Sequence, residues 1–232
     1  IGTTPFDRVA NWKRFGEREG LTDASVRSLL IADATLWVGS DGRVVRVALD
    51  EMADLLAWMP VDDPATVGAN ALVAHAGAVY AGTERGLARI DRESGFAEPI
   101  DAGIEGPVHA LASDGTKLYA GCDRGVRVIV GDVGVEWIET GAPVRAVAVV
   151  AGRLVCGGDA GLFDVAEGVS HAEWTITALA AEGGVLWAGT AARDDEIVVW
   201  RRGVRETETS GQTMKVAASN PYRFEDIAAR DH

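Results

Sequence analysis

The stretch Val108–Ile129, "VHALASDGTKLYAGCDRGVRVI", decides the fold. "VHALA" reads as a short buried strand, "DGT" as a turn, "KLYAG" as a second strand and "DRG" as another turn. "VRVIV", running to Val130, is a third strand, and "VEWIE" (Val135–Glu139) supplies a fourth. Short Val- and Leu-rich segments punctuated by Gly and Asp are the signature of successive antiparallel hairpins.

The same text returns along the chain. "WVGS", "YAGT", "YAGC", "VCGG" and "WAGT" place a glycine in one register at Gly39, Gly82, Gly121, Gly157 and Gly189, and the opening "IGT" adds Gly2. The intervals are 37, 43, 39, 36 and 32 residues. Thirteen residues before the glycine stands Val or Ile, except for Ala69, and ten before it stands Leu or Val. Four strands in such a period make one blade of a β-propeller. The recurrent glycine enters a tight turn beside the next blade, which demands either positive φ or freedom from Cβ crowding. The aromatic residues two positions earlier (Trp37, Tyr80, Tyr119 and Trp187, with Val155 as the exception) are expected to pack between blades.

This grammar predicts an all-β, single-domain chain over residues 1–232: a six-bladed propeller of four-stranded antiparallel blades, with a frayed tail at 221–232. In that reading "IGTTPFDRVANWKRFGE" is the latter part of a blade. It holds the end of a second strand, a third near Asp7–Ala10 and a fourth near Trp12–Phe15. "TMKVAASN" (Thr213–Asn220) is its first strand, so the N- and C-terminal strands close the ring and leave no open edge. Five blades plus an extension is the alternative. "LDEMADLLAWMPVDDPA" carries the extra residues of the 43-residue interval, and the spacing of Met52, Leu55, Leu56 and Met59 predicts a helical turn on the rim. Its apolar face, with Trp58, either packs on the first blade or meets a partner.

Formal net charge is −13 and the pI is near 4.7. That balance argues against nucleic acid or anionic membranes, which need a basic surface. Only Lys13, Lys117 and Lys215 of the 22 basic residues are lysine, a bias that fits salt adaptation or a GC-rich genome. The apolar runs are too short to span a bilayer. With no leader in view the cytoplasm is the favoured compartment, although a chain opening on Ile1 leaves localisation open. Cys122 and Cys156 fit no metal spacing, and on neighbouring blades about 10 Å apart they are expected to be buried free thiols.

"EGLTDASVRSLLIADATLWVGSDGRVVRV" (Glu19–Val47), "VYAGTERGLARID" and "LYAGCDRGVRVI" resemble the repeat of the two-component-regulator propellers, G-L-x-x-x-x-V-x-x-L followed by L-W-x-G-T and G-L. The resemblance implies an extracytoplasmic sensing module ahead of a membrane-spanning kinase. The chain carries neither the transmembrane nor the kinase part, and it has fewer repeats.

The position twelve before each glycine is polar: Arg27, Asn70, His109, Arg145 and Thr177. Aligning "MKVAA" with "VRAVA" adds Lys215. Three of these are fixed cations and His109 can become a fourth. They predict a cationic central funnel that binds an anionic small molecule or an acidic partner group. The competing reading has Asp41, Glu84, Asp123 and Asp159, in the second turns, neutralising them as surface ion pairs. "ARDDE" (Ala192–Glu196) clusters three acids but lacks the alternating spacing of a Ca²⁺ loop. HExxH, GxSxG and P-loop motifs are absent, so the expectation is a non-catalytic binding, scaffold or sensor module with no cofactor, catalytic residue or metal. A hydrolase or lyase with its site in the funnel is the alternative.

Overall fold

In the computed structural model the described residues are 15–21, 25–166, 169–171, 175–182, 185–191, 196–203 and 212–217. They form five four-stranded antiparallel sheets, each with its strands in chain order. The first sheet is β1 (Val26–Ala32), β2 (Thr35–Ser40), β3 (Val44–Ala48) and β4 (Met59–Val61). The second is β5 (Ala71–His75), β6 (Ala78–Thr83), β7 (Gly86–Asp91) and β8 (Ala97–Ile100). Next come β9 (Val108–Ser113), β10 (Leu118–Cys122), β11 (Gly125–Val130) and β12 (Val133–Glu139), where the sequence reading put them. The fourth sheet is β13 (Val144–Val150), β14 (Arg153–Gly158), β15 (Gly161–Asp164) and β16 (Val169–His171). The last, β17 (Thr175–Glu182), β18 (Val185–Ala191), β19 (Glu196–Gly203) and β20 (Gln212–Ala217), is described largely through its backbone. Contacts divide the chain into two compact units, 1–108 and 109–232. Among the described residues no helix is long and apolar enough to cross a membrane.

Turn chemistry fixes the hairpins. Asp33–Ala34, Ala76–Gly77, Gly131–Asp132 and Ala151–Gly152 are two-residue connections with both φ values positive. Their backbone twist matches that of the flanking strands. The longer β9–β10 turn is held by Asp114, whose Oδ1 accepts from the Thr116 and Lys117 amides at 2.8 and 2.6 Å. The Tyr119 hydroxyl donates to Oδ2 of the same carboxylate at 2.7 Å. The amide bond from Lys117, chiefly, holds the Asp114 carboxyl below its ordinary range. Burial, with the bond to Asp114, pushes Tyr119 up to about 12.

The repeated glycine is explained by crowding, not by φ. Gly39, Gly82, Gly121 and Gly157 all lie outside the left-handed region. A Cβ on Gly39 would lie 2.9 Å from the Ala69 carbonyl oxygen. One on Gly82 would lie 2.5 Å from Val108 Cγ1, on Gly121 2.9 Å from Val144 Cγ1, and on Gly157 2.5 Å from Ile176 Cγ2. Each partner is the residue thirteen before the following glycine, so the two recurrent positions of the sequence are the two halves of one blade junction. Those partners are sealed: Ala69, Val108 and Ile176 are fully buried and Val144 almost so. Trp37, Tyr80 and Tyr119 are buried as expected. Trp37 packs with Leu72 and Val79 of the second sheet, while Tyr119 packs with Val144 and Val147 of the fourth.

The rim insertion resolves into a 3-10 turn, Leu55–Ala57, capped by Asp54. Trp58 packs inward on Val38, Val45 and Val47 with Leu21, and stacks at 5.0 Å from Phe15. Leu55, Leu56 and Met59 stay exposed, Leu56 at 92%. Cys122 and Cys156 are free and buried, and burial raises each thiol to about 12.

One expected strand lies elsewhere. Residues 212–217 do not begin a new sheet; β20 is the fourth strand of the fifth, with Lys215 opposite Val198. The eight-residue β19 needs an outer partner for its backbone groups, and the adjacent segment in the chain supplies one. The strands expected at Ile1–Gly2 and Asp7–Ala10, residues 12–14 of the one expected over Trp12–Phe15, and the tail 221–232 lie outside the described residues, while Phe15 itself is in no strand.

Candidate functional site

A shared backbone device aims three of the predicted polar residues, Arg27, Arg145 and Thr177. In the first sheet Val26 pairs with Ser40 and Ser28 with Gly39, so Arg27 is an extra residue in a β-bulge. Val144–Gly158 and Ala146–Gly157 leave Arg145 in the same position, and Ile176–Thr190 and Ala178–Gly189 leave Thr177 there. A bulge re-aims the side chain it carries and recurs beside functional sites. The turn after the glycine then brings an acid, two residues beyond it, toward Arg27 and Arg145, whereas Ala191 stands at that position in the fifth sheet.

In the first unit four residues form one cluster. Arg27 Nε contacts Asp41, and its Nη1 donates to Asn70 Oδ1 at 2.7 Å and reaches Glu84 Oε1 at 3.4 Å. Asn70 Nδ2 donates to the same Glu84 oxygen at 3.1 Å and to the Val108 carbonyl at 3.3 Å. Arg27 therefore spans two blades, from its own turn to that of the next. In the second unit His109 Nε2 lies 2.8 Å from Asp123 Oδ1, and Arg145 Nε lies 3.5 Å from Asp159 Oδ2. Thr177 donates to the Gly189 carbonyl at 3.2 Å. Lys215, on β20, does not occupy a first strand and does not belong to this register.

Four carboxylates thus stand against two guanidiniums and one imidazole, so the register is charge-paired. Its ion pairs are half exposed: the Arg27 and Arg145 side chains are 44% and 45% accessible. Such pairs contribute only about 0–1 kcal/mol each, so their partners exchange readily. A cavity of about 150 Å³ in the second unit is lined by Thr140, Pro143, Val144, Cys156, Gly157 and Phe163, and reaches the residue before Arg145. Among the described residues no group of three His, Cys, Asp or Glu could hold a metal ion. The "ARDDE" loop lies outside the described residues except for Glu196.

The position twelve before the glycine was legible in the sequence, but its bulge was not. Nor was the reach of Arg27 across the junction to Asn70 and Glu84. Ser28 was also missed: its Oγ accepts from the Leu72 amide at 2.9 Å, tying the two blades together beside this cluster. A polar residue facing an otherwise apolar inter-blade surface was the available signal.

No family model matches the chain, and no curated protein matches it. Solved structures do. The computationally designed Ika8 protein aligns with a TM-score of 0.59 at 18% identity, over 81% of this chain and 61% of that one. The extracellular domain of BT4673 from B. thetaiotaomicron, described as a hybrid two component system, gives 0.61 at 15%, over 86% of this chain and 29% of that. The WD40 repeats of RRP9 give 0.52 at 12%, over 77% of each chain. The fold is that of a β-propeller. The chain spans less than two thirds of the first two proteins, and at these identities the likeness concerns fold alone.

Proposed function

We propose that the protein is a non-catalytic β-propeller module that binds a ligand or partner through the bulged residues of its blades. The observation that carries this reading is the repeated pairing of a bulged polar residue with a turn acid, at Arg27–Asp41 and Arg145–Asp159. The preferred ligand is an anionic small molecule or an acidic group of a partner. Its carboxylate or phosphate displaces Asp41, Glu84 or Asp159 and takes the guanidinium in a two-point contact. The half-exposed pairs make that exchange inexpensive, while the neighbouring acids reject anions unable to make the two-point contact. Asn70 in the first unit, and His109 and Thr177 in the second, add hydrogen-bonding groups; Lys215, on β20, lies outside this register.

The finer architecture we propose is a single domain of six blades, one beyond the five described sheets. A sensing role, as the resemblance to the two-component-regulator repeat implies, accords with this reading. The test is a thermal-shift screen of carboxylates, phosphates and acidic peptides with the native chain and with Arg27→Ala/Arg145→Ala. The expected result is a stabilising anion whose effect the double variant loses. A shift of equal size in both proteins overturns the site.

A further inference from the structure

The two guanidiniums of the polar register are not equally engaged. Arg27 is held by Asp41, Asn70 and Glu84, whereas Arg145 meets Asp159 alone, through Nε at 3.5 Å. Arg145 Nη1 and Nη2 have no partner among the described residues, and the Arg145 and Asp159 side chains are 45% and 55% accessible. A guanidinium in that state offers its two terminal nitrogens together, the geometry that matches one carboxylate.

This pair stands at the edge of the cavity in the second unit. Val144 and Gly158 lie opposite each other on β13 and β14 and both line it, and Arg145 and Asp159 are the residues that follow them. No lining residue is charged, and Pro143, Val144, Cys156 and Phe163 give the cavity a mainly apolar wall. Its glycines are fixed by the backbone. A Cβ on Gly157 would lie 2.5 Å from Ile176 Cγ2, one on Gly158 would collide with the Pro143 carbonyl oxygen, and Gly161 has a φ of +99°. Larger side chains are therefore excluded there, and the space is preformed, as small-molecule sites usually are. Its volume of about 150 Å³ suits one group the size of benzene. We infer that the second unit binds a small monocarboxylate carrying one compact apolar group. The carboxylate takes Arg145 Nη1 and Nη2, and the apolar group enters the cavity. A second charge on the ligand would meet no counter-ion inside, which selects against dicarboxylates. This inference rests on the anion-binding reading above and narrows its ligand class.

The test is a thermal-shift titration of the full chain with benzoate as the probe. Acetate supplies the same carboxylate without the ring, and benzamide the same ring without the charge. Benzoate is expected to half-saturate at a concentration at least about tenfold lower than either, a preference that Arg145→Ala removes. Ala142→Leu, which adds bulk to the lining, should weaken benzoate at least about tenfold and leave acetate unchanged. Ala160→Leu, at an exposed lining position, gives the same readout should Ala142→Leu fold poorly. Equal midpoints for benzoate and acetate, both lost in Arg145→Ala, overturn the cavity's role while leaving the anion-binding reading in place. Equal midpoints for benzoate and benzamide overturn the carboxylate contact, and a benzoate preference untouched by Ala142→Leu and Ala160→Leu overturns the proposal as well. If no anion stabilises the chain, this inference and the reading beneath it fall together.

Discussion

Replacing Gly82 by Ala tests the junction most directly. The new Cβ would lie 2.5 Å from Val108 Cγ1 and 3.0 Å from Val108 Cβ, where ordinary contact needs about 3.5 Å or more. Val108 is fully buried, so it has no solvent side to move into. Overpacking of this kind costs about 1–3 kcal/mol, offset by roughly 0.4–1 kcal/mol from the lower entropy of an unfolded chain with Ala in place of Gly. Gly82→Ala is expected to lose about 1–2 kcal/mol in urea unfolding followed by tryptophan fluorescence. Gly189→Ala is the control, because its nearest neighbour would be Ala178 Cβ at 3.5 Å, and no loss is expected there. Combining Gly82→Ala with Val108→Ala removes the methyl that clashes, so the double variant should be more stable than the sum of the singles by about 1 kcal/mol. Additivity within about 0.5 kcal/mol, or a loss no larger than in the Gly189 control, refutes the crowding explanation.

Three further outcomes follow from the described contacts. Trp58→Ala should cost about 3–5 kcal/mol in the same unfolding assay, whereas Leu56→Ala, at an almost fully exposed site, should stay within about 0.5 kcal/mol. Equal effects would place the rim turn elsewhere than on the first sheet. Cys122 and Cys156, with thiols raised to about 12, should resist a thiol reagent at about pH 8 in the native chain and both react in denaturant. Fast native labelling of either one contradicts their burial. Asp114 has a depressed carboxyl pKa, so its bonds to Thr116, Lys117 and Tyr119 stabilise the fold above its unfolded value of 3.8 and are lost as pH falls through the lower folded value. Asp114→Asn should therefore lower the urea midpoint at neutral pH and flatten its fall on the acid side, and an unchanged acid profile would remove Asp114 from that role.

The blades were readable because hairpin periodicity, turn residues and the glycine register are local signals, each written within one repeat. "VHALASDGTKLYAGCDRGVRVI" contains its own strands and turns, and the structure places them where the pattern did. The purpose of the glycine was only half readable. Positive φ and Cβ crowding leave the same residue in the sequence, and only the distance to Val108 or Ile176 separates them. The polar register was also visible, but its electrostatics depend on pairing across a turn and, at Arg27, across a junction. Arg27 and Arg145 suggested a cationic ring and the turn acids its neutralisation, and the structure sets Asp41 and Asp159 against the two guanidiniums. Lys215 was misplaced because "MKVAA" matches a first strand in text, whereas the unsatisfied edge of β19 made it a fourth. Text alignment carries no information about which edge is vacant.

The coupling of glycine to the residue thirteen before the next glycine has a direction. The second, third and fourth sheets each bring a socket on one flank and a plug on the other, so a duplicated segment of that kind would arrive already compatible with its neighbours. Growth or loss of whole modules then preserves every interface, whereas exchange of a single plug for a larger side chain damages one. On this view blade number is the easily varied property of such a chain, and the pair of residues at each seam is the conservative one.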